Sequence, residues 1–233
     1  IASVLIVPGM GGCSGGGDAA GSGPGADVRA LTGAPTRVVW VQSEDNDPRA
    51  SGERLILMGL DTQDGRGERV ILSERRSYVK PMITPRGNRI VFSTRVEPGP
   101  PEIFIVNWDG TGLRRLSAGF ALAVWENPVD ESEWIYAGSD NTKHDFATVT
   151  RFPIDAPDKR DLVWSATPVS MDTFQVSADG RFAAGLFPWP QAGIADLRKG
   201  TVTRLGDGCW TALTRARGPL FWYFDGAHRN LTM

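Results

Sequence analysis

From Thr36 onward the apolar residues fall into short β-type runs separated by turn residues, with no stripe at the roughly 3.6-residue spacing of an amphipathic helix. The clearest unit spans residues 81–117. Pro81-Met82-Ile83-Thr84 predicts a short strand. Pro85-Arg86-Gly87-Asn88 is its turn, with Pro presetting φ and Gly admitting positive φ. Residues 89–93 predict a second strand, and a Pro/Gly loop leads to a third at 102–107. Trp108-Asp109-Gly110-Thr111-Gly112 is a tight turn before a fourth strand at 113–117. Four antiparallel strands in about forty residues is the size of one propeller blade.

The same grammar recurs on both sides. Residues 174–181 repeat strand, turn and strand start, with 193–197 and 201–205 as third and fourth strands. Residues 123–128 open another unit, with 134–137 as its second strand and 161–165 as its last. Residues 37–42, 54–60 and 68–73 fit the last three strands of an earlier blade. Residues 210–214, 220–224 and 229–233 begin a fifth. The pattern resembles the TolB-type, WD-repeat-like propeller repeat, whose core is Ser-Pro-Asp-Gly followed by an aliphatic strand. Thr84-Pro85-Arg86-Gly87, Ser177-Ala178-Asp179-Gly180 and the Trp108-Asp109-Gly110 turn carry the resemblance, although no repeat has the full motif. It covers residues 37–233 and implies an all-β fold, a β-propeller of four-stranded antiparallel blades. About four and a half blades are visible where roughly six or seven are usual, so one to three further blades are expected beyond Met233.

The N-terminal region has a different character. Ile1 to Met10 is an apolar run too short to span a bilayer and suited to the central segment of a signal peptide. Gly11, Gly12 and Cys13 follow in the order of a lipobox, with Met10 where that pattern prefers a branched aliphatic residue. Residues 1–13 therefore read as a lipoprotein-type leader with Cys13 as the lipid acceptor, and residues 14–36 as a flexible Gly/Ser-rich tether. Gly12-Cys13-Ser14-Gly15-Gly16 matches a nucleophile-elbow pattern in letters only, because no strand precedes it and no helix follows.

Composition adds a few bounds. Net charge is −2 with a pI near 5.8, so no basic excess points to nucleic acid. Eight tryptophans suit a repeated β architecture with a large aromatic in each blade. Two cysteines, Cys13 and Cys209, are too few for a disulfide framework, and Cys209 reads as a small buried hydrophobe.

Candidate chemistry is sparse. His144 lies in a polar inter-strand loop, residues 139–145, with no second His or Cys at ligand spacing. Glu44-Asp45-Asn46-Asp47 lacks the alternating oxygen spacing of a calcium loop. No metal site, cofactor or catalytic residue is assigned. His228 and Arg229, in the turn into a third strand, and Trp189, in the Phe187-Pro188-Trp189-Pro190 loop, are the candidate ligand contacts. These features lead to an exported, periplasmic or surface-facing, lipid-anchored propeller. It would act as a binding or scaffolding module for an envelope protein, peptide or glycan, with the membrane reached through Cys13. The alternative is a propeller enzyme: a polysaccharide lyase or hydrolase, or the gating domain of a peptidase whose catalytic part is absent. A purely structural envelope component is a third possibility.

Overall fold

The computed structural model describes residues 24–43, 50, 52–95, 99–142, 145–214 and 220–233. The leader with Cys13, the acidic run at 44–47 and His144 lie outside the described residues. A helix, α1 (Pro24–Thr32), occupies part of the segment that composition reads as coil. Its ends explain it. Pro24 sits at the first helical position and Asp27 in the first turn, while Gly33 closes it at φ +66° with its N–H donating to Arg29 O at 2.9 Å. It buries no residue, so no apolar periodicity marks it.

The rest is antiparallel sheet. The first sheet has the order β1 (Arg37–Ser43), β2 (Leu55–Asp61), β3 (Glu68–Arg76). The second is β4 (Val79–Ile83), β5 (Arg89–Thr94), β6 (Glu102–Asn107), β7 (Arg114–Ala118). The third follows as β8 (Phe120–Glu126), β9 (Glu133–Thr142), β10 (Asp145–Pro153), β11 (Asp161–Trp164), with β12 (Val169–Ser170) pairing at the start of β10. The last path joins β13 (Phe174–Val176), β14 (Phe182–Leu186), β15 (Gln191–Asp196), β16 (Thr201–Leu213), β17 (Phe221–Asp225) and β18 (Leu231–Thr232). Within each sheet, strands of neighbouring sequence pair, with β12 added beside β10 as the one exception.

Two details differ from the sequence expectation. Residues 139–142, expected in a loop, belong to β9, and Ser139 and Thr148 share a 2.7 Å hydroxyl–hydroxyl bond across β9 and β10. The strands expected at 201–205 and 210–214 are one continuous element. The early part of β16 pairs with β15, from Thr201 to Asp207, and the rest with β17, from Gly208 to Leu213. Gly208 makes this possible: a Cβ there would lie 2.2 Å from Phe224 O, so only glycine lets the two backbones approach.

The chain divides into two compact units. The first holds β1–β5 and most of the second sheet, around a core of Val39, Leu57, Ile83, Ile90, Phe92 and Val106. Trp108, the aromatic of the predicted turn, closes that core with the guanidinium groups of Arg37 and Arg69 at 5.1 and 5.2 Å from its ring. Arg37 also bonds the buried Asp61 at 2.7 Å and Gly87 O at 2.6 Å, which ties the first sheet to the β4–β5 turn.

The second unit holds β8–β18, with Ala184, Leu186, Ala192, Leu213, Phe221 and Tyr223 packed between its last sheets. Its sheets are joined by a similar device. Trp125 at the end of β8 donates its indole N–H to Ser177 O and Ala178 O, at 3.1 and 3.2 Å, in the β13–β14 turn. Gly180 occupies that turn at φ +69°, against the Trp125 ring.

Candidate functional site

The candidate residues within the described part all belong to one end of the second unit. The β14–β15 loop is closed by Phe187 N–H to Gln191 O at 2.9 Å and Gln191 N–H to Pro188 O at 2.8 Å. Both X-Pro bonds in it are cis. Phe187 is fully buried and meets the Trp164 ring edge-on, with centroids 5.6 Å apart. Trp189 at the tip is 64% exposed.

That exposed residue is nonetheless fixed at its backbone. Trp189 N–H donates to Ser170 Oγ at 2.9 Å, and the Ser170 hydroxyl, itself buried, donates to Asp145 Oδ1. Ser170 and Asp145 are register partners across β12 and β10. On the other side, Gly208 N–H donates to Pro190 O at 2.7 Å. Gly208 pairs in turn with Asp225, and Asp225 organises the loop containing His228 and Arg229. Its two oxygens take Arg229 N–H at 2.9 Å and the Asn230 amide at 2.6 Å. These donors, the Arg229 N–H first, hold the Asp225 carboxyl below the ordinary carboxylate range. The bonded path thus runs from Asp145 through Ser170, Trp189, Pro190 and Gly208 to Asp225.

His228 is exposed at φ +55°, and its ring lies 6.4 Å from that of Trp210, which is itself 53% exposed at φ +56°. The register shift between Cys209 and Ala212 turns Trp210 out of the ladder. Left-handed conformations at two bulky non-glycine residues carry strain. Cys209 is buried, as its sequence context implies, and burial pushes its thiol up, with the Asp172 and Asp225 carboxylates adding to the shift. Such a thiol is a poor nucleophile.

Trp189, His228 and Arg229 stand out in the sequence, but nothing in it connects them. The connecting residues, Ser170, Asp145 and Gly208, belong to no motif, and only strand pairing reveals them. Among the described residues no three His, Cys, Asp or Glu side chains are grouped so as to hold a metal ion. No helix among them is long and apolar enough to cross a membrane.

No family model matches the chain, and no curated protein matches its sequence. Solved structures match its fold. An oligogalacturonate lyase in complex with manganese is 15% identical with a TM-score of 0.58, over 84% of this chain and 60% of that one. A chain of the nidogen/laminin complex is 12% identical with a TM-score of 0.56, over 84% of this chain and 70% of that one. A putative TolB from Agrobacterium tumefaciens is 14% identical with a TM-score of 0.51, over 77% and 76%. The chain spans 60% of the length of the lyase it matches. At such identities the likeness is one of backbone architecture. Together with the antiparallel sheets, it makes the fold an all-β propeller, the architecture of that putative TolB.

Proposed function

We propose that the chain is an exported, lipid-anchored binding or scaffolding module of the bacterial envelope. Its partner would dock on the end of the second unit that presents Trp189, His228 and Arg229. The observation that carries the reading is the treatment of Trp189. A large aromatic side chain stands in solvent while a buried hydroxyl and a neighbouring strand hold its backbone in place. Rigid, exposed aromatic side chains are what binding surfaces use, because little side-chain freedom is lost when a partner arrives. The sequence supplies the cellular part. Residues 1–13 act as the leader, Cys13 as the acylated residue, and residues 14–36, with α1 inside them, as the spacer.

Two measurements test this reading. Expressed in a Gram-negative host, the wild-type chain fractionates with membranes and incorporates labelled palmitate, whereas Cys13→Ala does neither. Membrane association that survives Cys13→Ala ends the anchor reading. Immobilised wild-type chain retains an envelope component that Trp189→Ala retains at least about tenfold less well, as expected for loss of a central aromatic contact. The fold is shared with an oligogalacturonate lyase, so depolymerisation of oligogalacturonate by the purified chain would replace the binding reading with a catalytic one.

A further inference from the structure

The chemistry around Trp189 points to a class of ligand, an inference that rests on this end being a binding face. The exposure of Trp189 does not come from an edge of the fold. Its loop joins β14 to β15, and the sheets on both sides, β8–β11 and the β16–β18 part of the last path, belong to the same unit and leave the indole open. The indole is flanked in sequence by Pro188 and Pro190, both half-buried, and a second exposed indole, Trp210, stands beside His228.

The polar groups linked to that platform are mainly acceptors. Asp145 is joined to Trp189 through Ser170. Asp207 is the register partner of Gln191, next to Pro190, and is exposed. Asp225 is the register partner of Gly208, whose N–H donates to Pro190 O. Against the three carboxylates stand Arg229 and Arg204, and Arg204 is turned toward Phe187 O at 3.4 Å. The surface therefore combines the exposed Trp189 face with a surplus of negative charge. A pyranose ring complements it, with its C–H face laid on the indole and its hydroxyl groups donating outward. A uronate would place a like charge among carboxylates, which is unfavourable.

We propose that Trp189 is the stacking platform for an oligosaccharide that carries no acidic groups. The test uses the full chain on an array of cello-, manno-, chito- and chitosan oligosaccharides beside oligogalacturonates, followed by calorimetry with the strongest hit. The expected result is retention of a saccharide without acidic groups and weak or no retention of oligogalacturonate. Trp189→Ala should weaken binding at least about tenfold, the scale of one lost ring-stacking contact. Trp189→Phe should weaken it only severalfold, and both variants should keep the wild-type circular dichroism and melting temperature. As a measurement on the unaltered chain, the bound saccharide should protect Trp189 from N-bromosuccinimide oxidation, read by peptide mass spectrometry. A silent array, a preference for oligogalacturonate, unchanged affinity in Trp189→Ala, or an unprotected Trp189 each overturns the proposal. If the array is silent while the wild-type chain, and not Trp189→Ala, still retains an envelope protein, the saccharide inference falls and the binding face stands. If both are silent, both fall.

Discussion

Gly180→Ala tests whether the Trp125 indole and the β13–β14 turn form one packed joint. The alanine methyl would start 2.7 Å from Trp125 Cζ2 and 3.2 Å from Cη2, well inside the roughly 3.5–4.0 Å of a comfortable carbon contact. The position also sits at φ +69°, where an L side chain costs about 1–2 kcal/mol. Overpacking against a buried ring adds about 1–3 kcal/mol. The single substitution should therefore destabilise by about 2–5 kcal/mol, a large share of the roughly 5–15 kcal/mol of a typical domain. Trp125→Leu removes the ring atoms that clash and the N–H bonded to Ser177 O and Ala178 O, at about 3–5 kcal/mol by analogy with other large-to-small core changes. In that background Gly180→Ala should cost only its backbone part, about 1–2 kcal/mol. The double-mutant cycle, measured by urea unfolding with far-UV circular dichroism, then closes with a coupling of about 1–3 kcal/mol. Strict additivity would refute the reasoning, because the cost at Gly180 would then owe nothing to the ring.

Other expectations follow from the same structure. The Cys209 thiol, raised by burial, should react with iodoacetamide at neutral pH far more slowly in native Cys13→Ala chain than after urea denaturation; equal rates would contradict its burial. Tyr78 is pushed up to about 12 by burial, and its hydroxyl donates to Glu74 O. A raised folded value means that the stability it contributes is complete below about pH 10 and is lost as pH rises toward about 12. The difference in phenolate absorbance between wild type and Tyr78→Phe should titrate in that window, and a midpoint near 10 would show an exposed ring. Asp225 has a depressed folded value, so its contribution is present above the ordinary 3.8 and disappears as pH falls below it. Its carboxyl carbon should titrate by NMR with a midpoint under 3.8, and a normal midpoint would mean that the Arg229 and Asn230 contacts are not kept in solution.

The sequence was most readable where turn chemistry is explicit. Residues 81–117 were legible nearly strand for strand because Gly87 and Gly110, both at positive φ, mark the two turns. The turn after β8 hides the same geometry, since Glu131 at φ +57° stands where the other repeats have glycine, and Asp130 braces it through Ser132. β10 is not marked by two-residue alternation, because its buried positions, Phe146, Val149 and Phe152, fall every third residue. α1 escaped for another reason: its end signals are present and its apolar stripe is not. At the candidate site the aromatic and basic residues were visible as letters. Their common location was not, because Ser170, Asp145 and Gly208 acquire meaning only through register.

β16 has a consequence for how the second unit comes apart. Blades joined by a loop can open one at a time, since a loop transmits little. Here a single strand holds the outer edge of one sheet and the inner edge of the next, so peeling β17 and β18 away leaves half of β16 unpaired. The two sheets should therefore exchange their amide protons as one cooperative block, with matching opening energies on both sides of Gly208. Any motion of the Trp189 loop, which is bonded at that glycine, is tied to the same block.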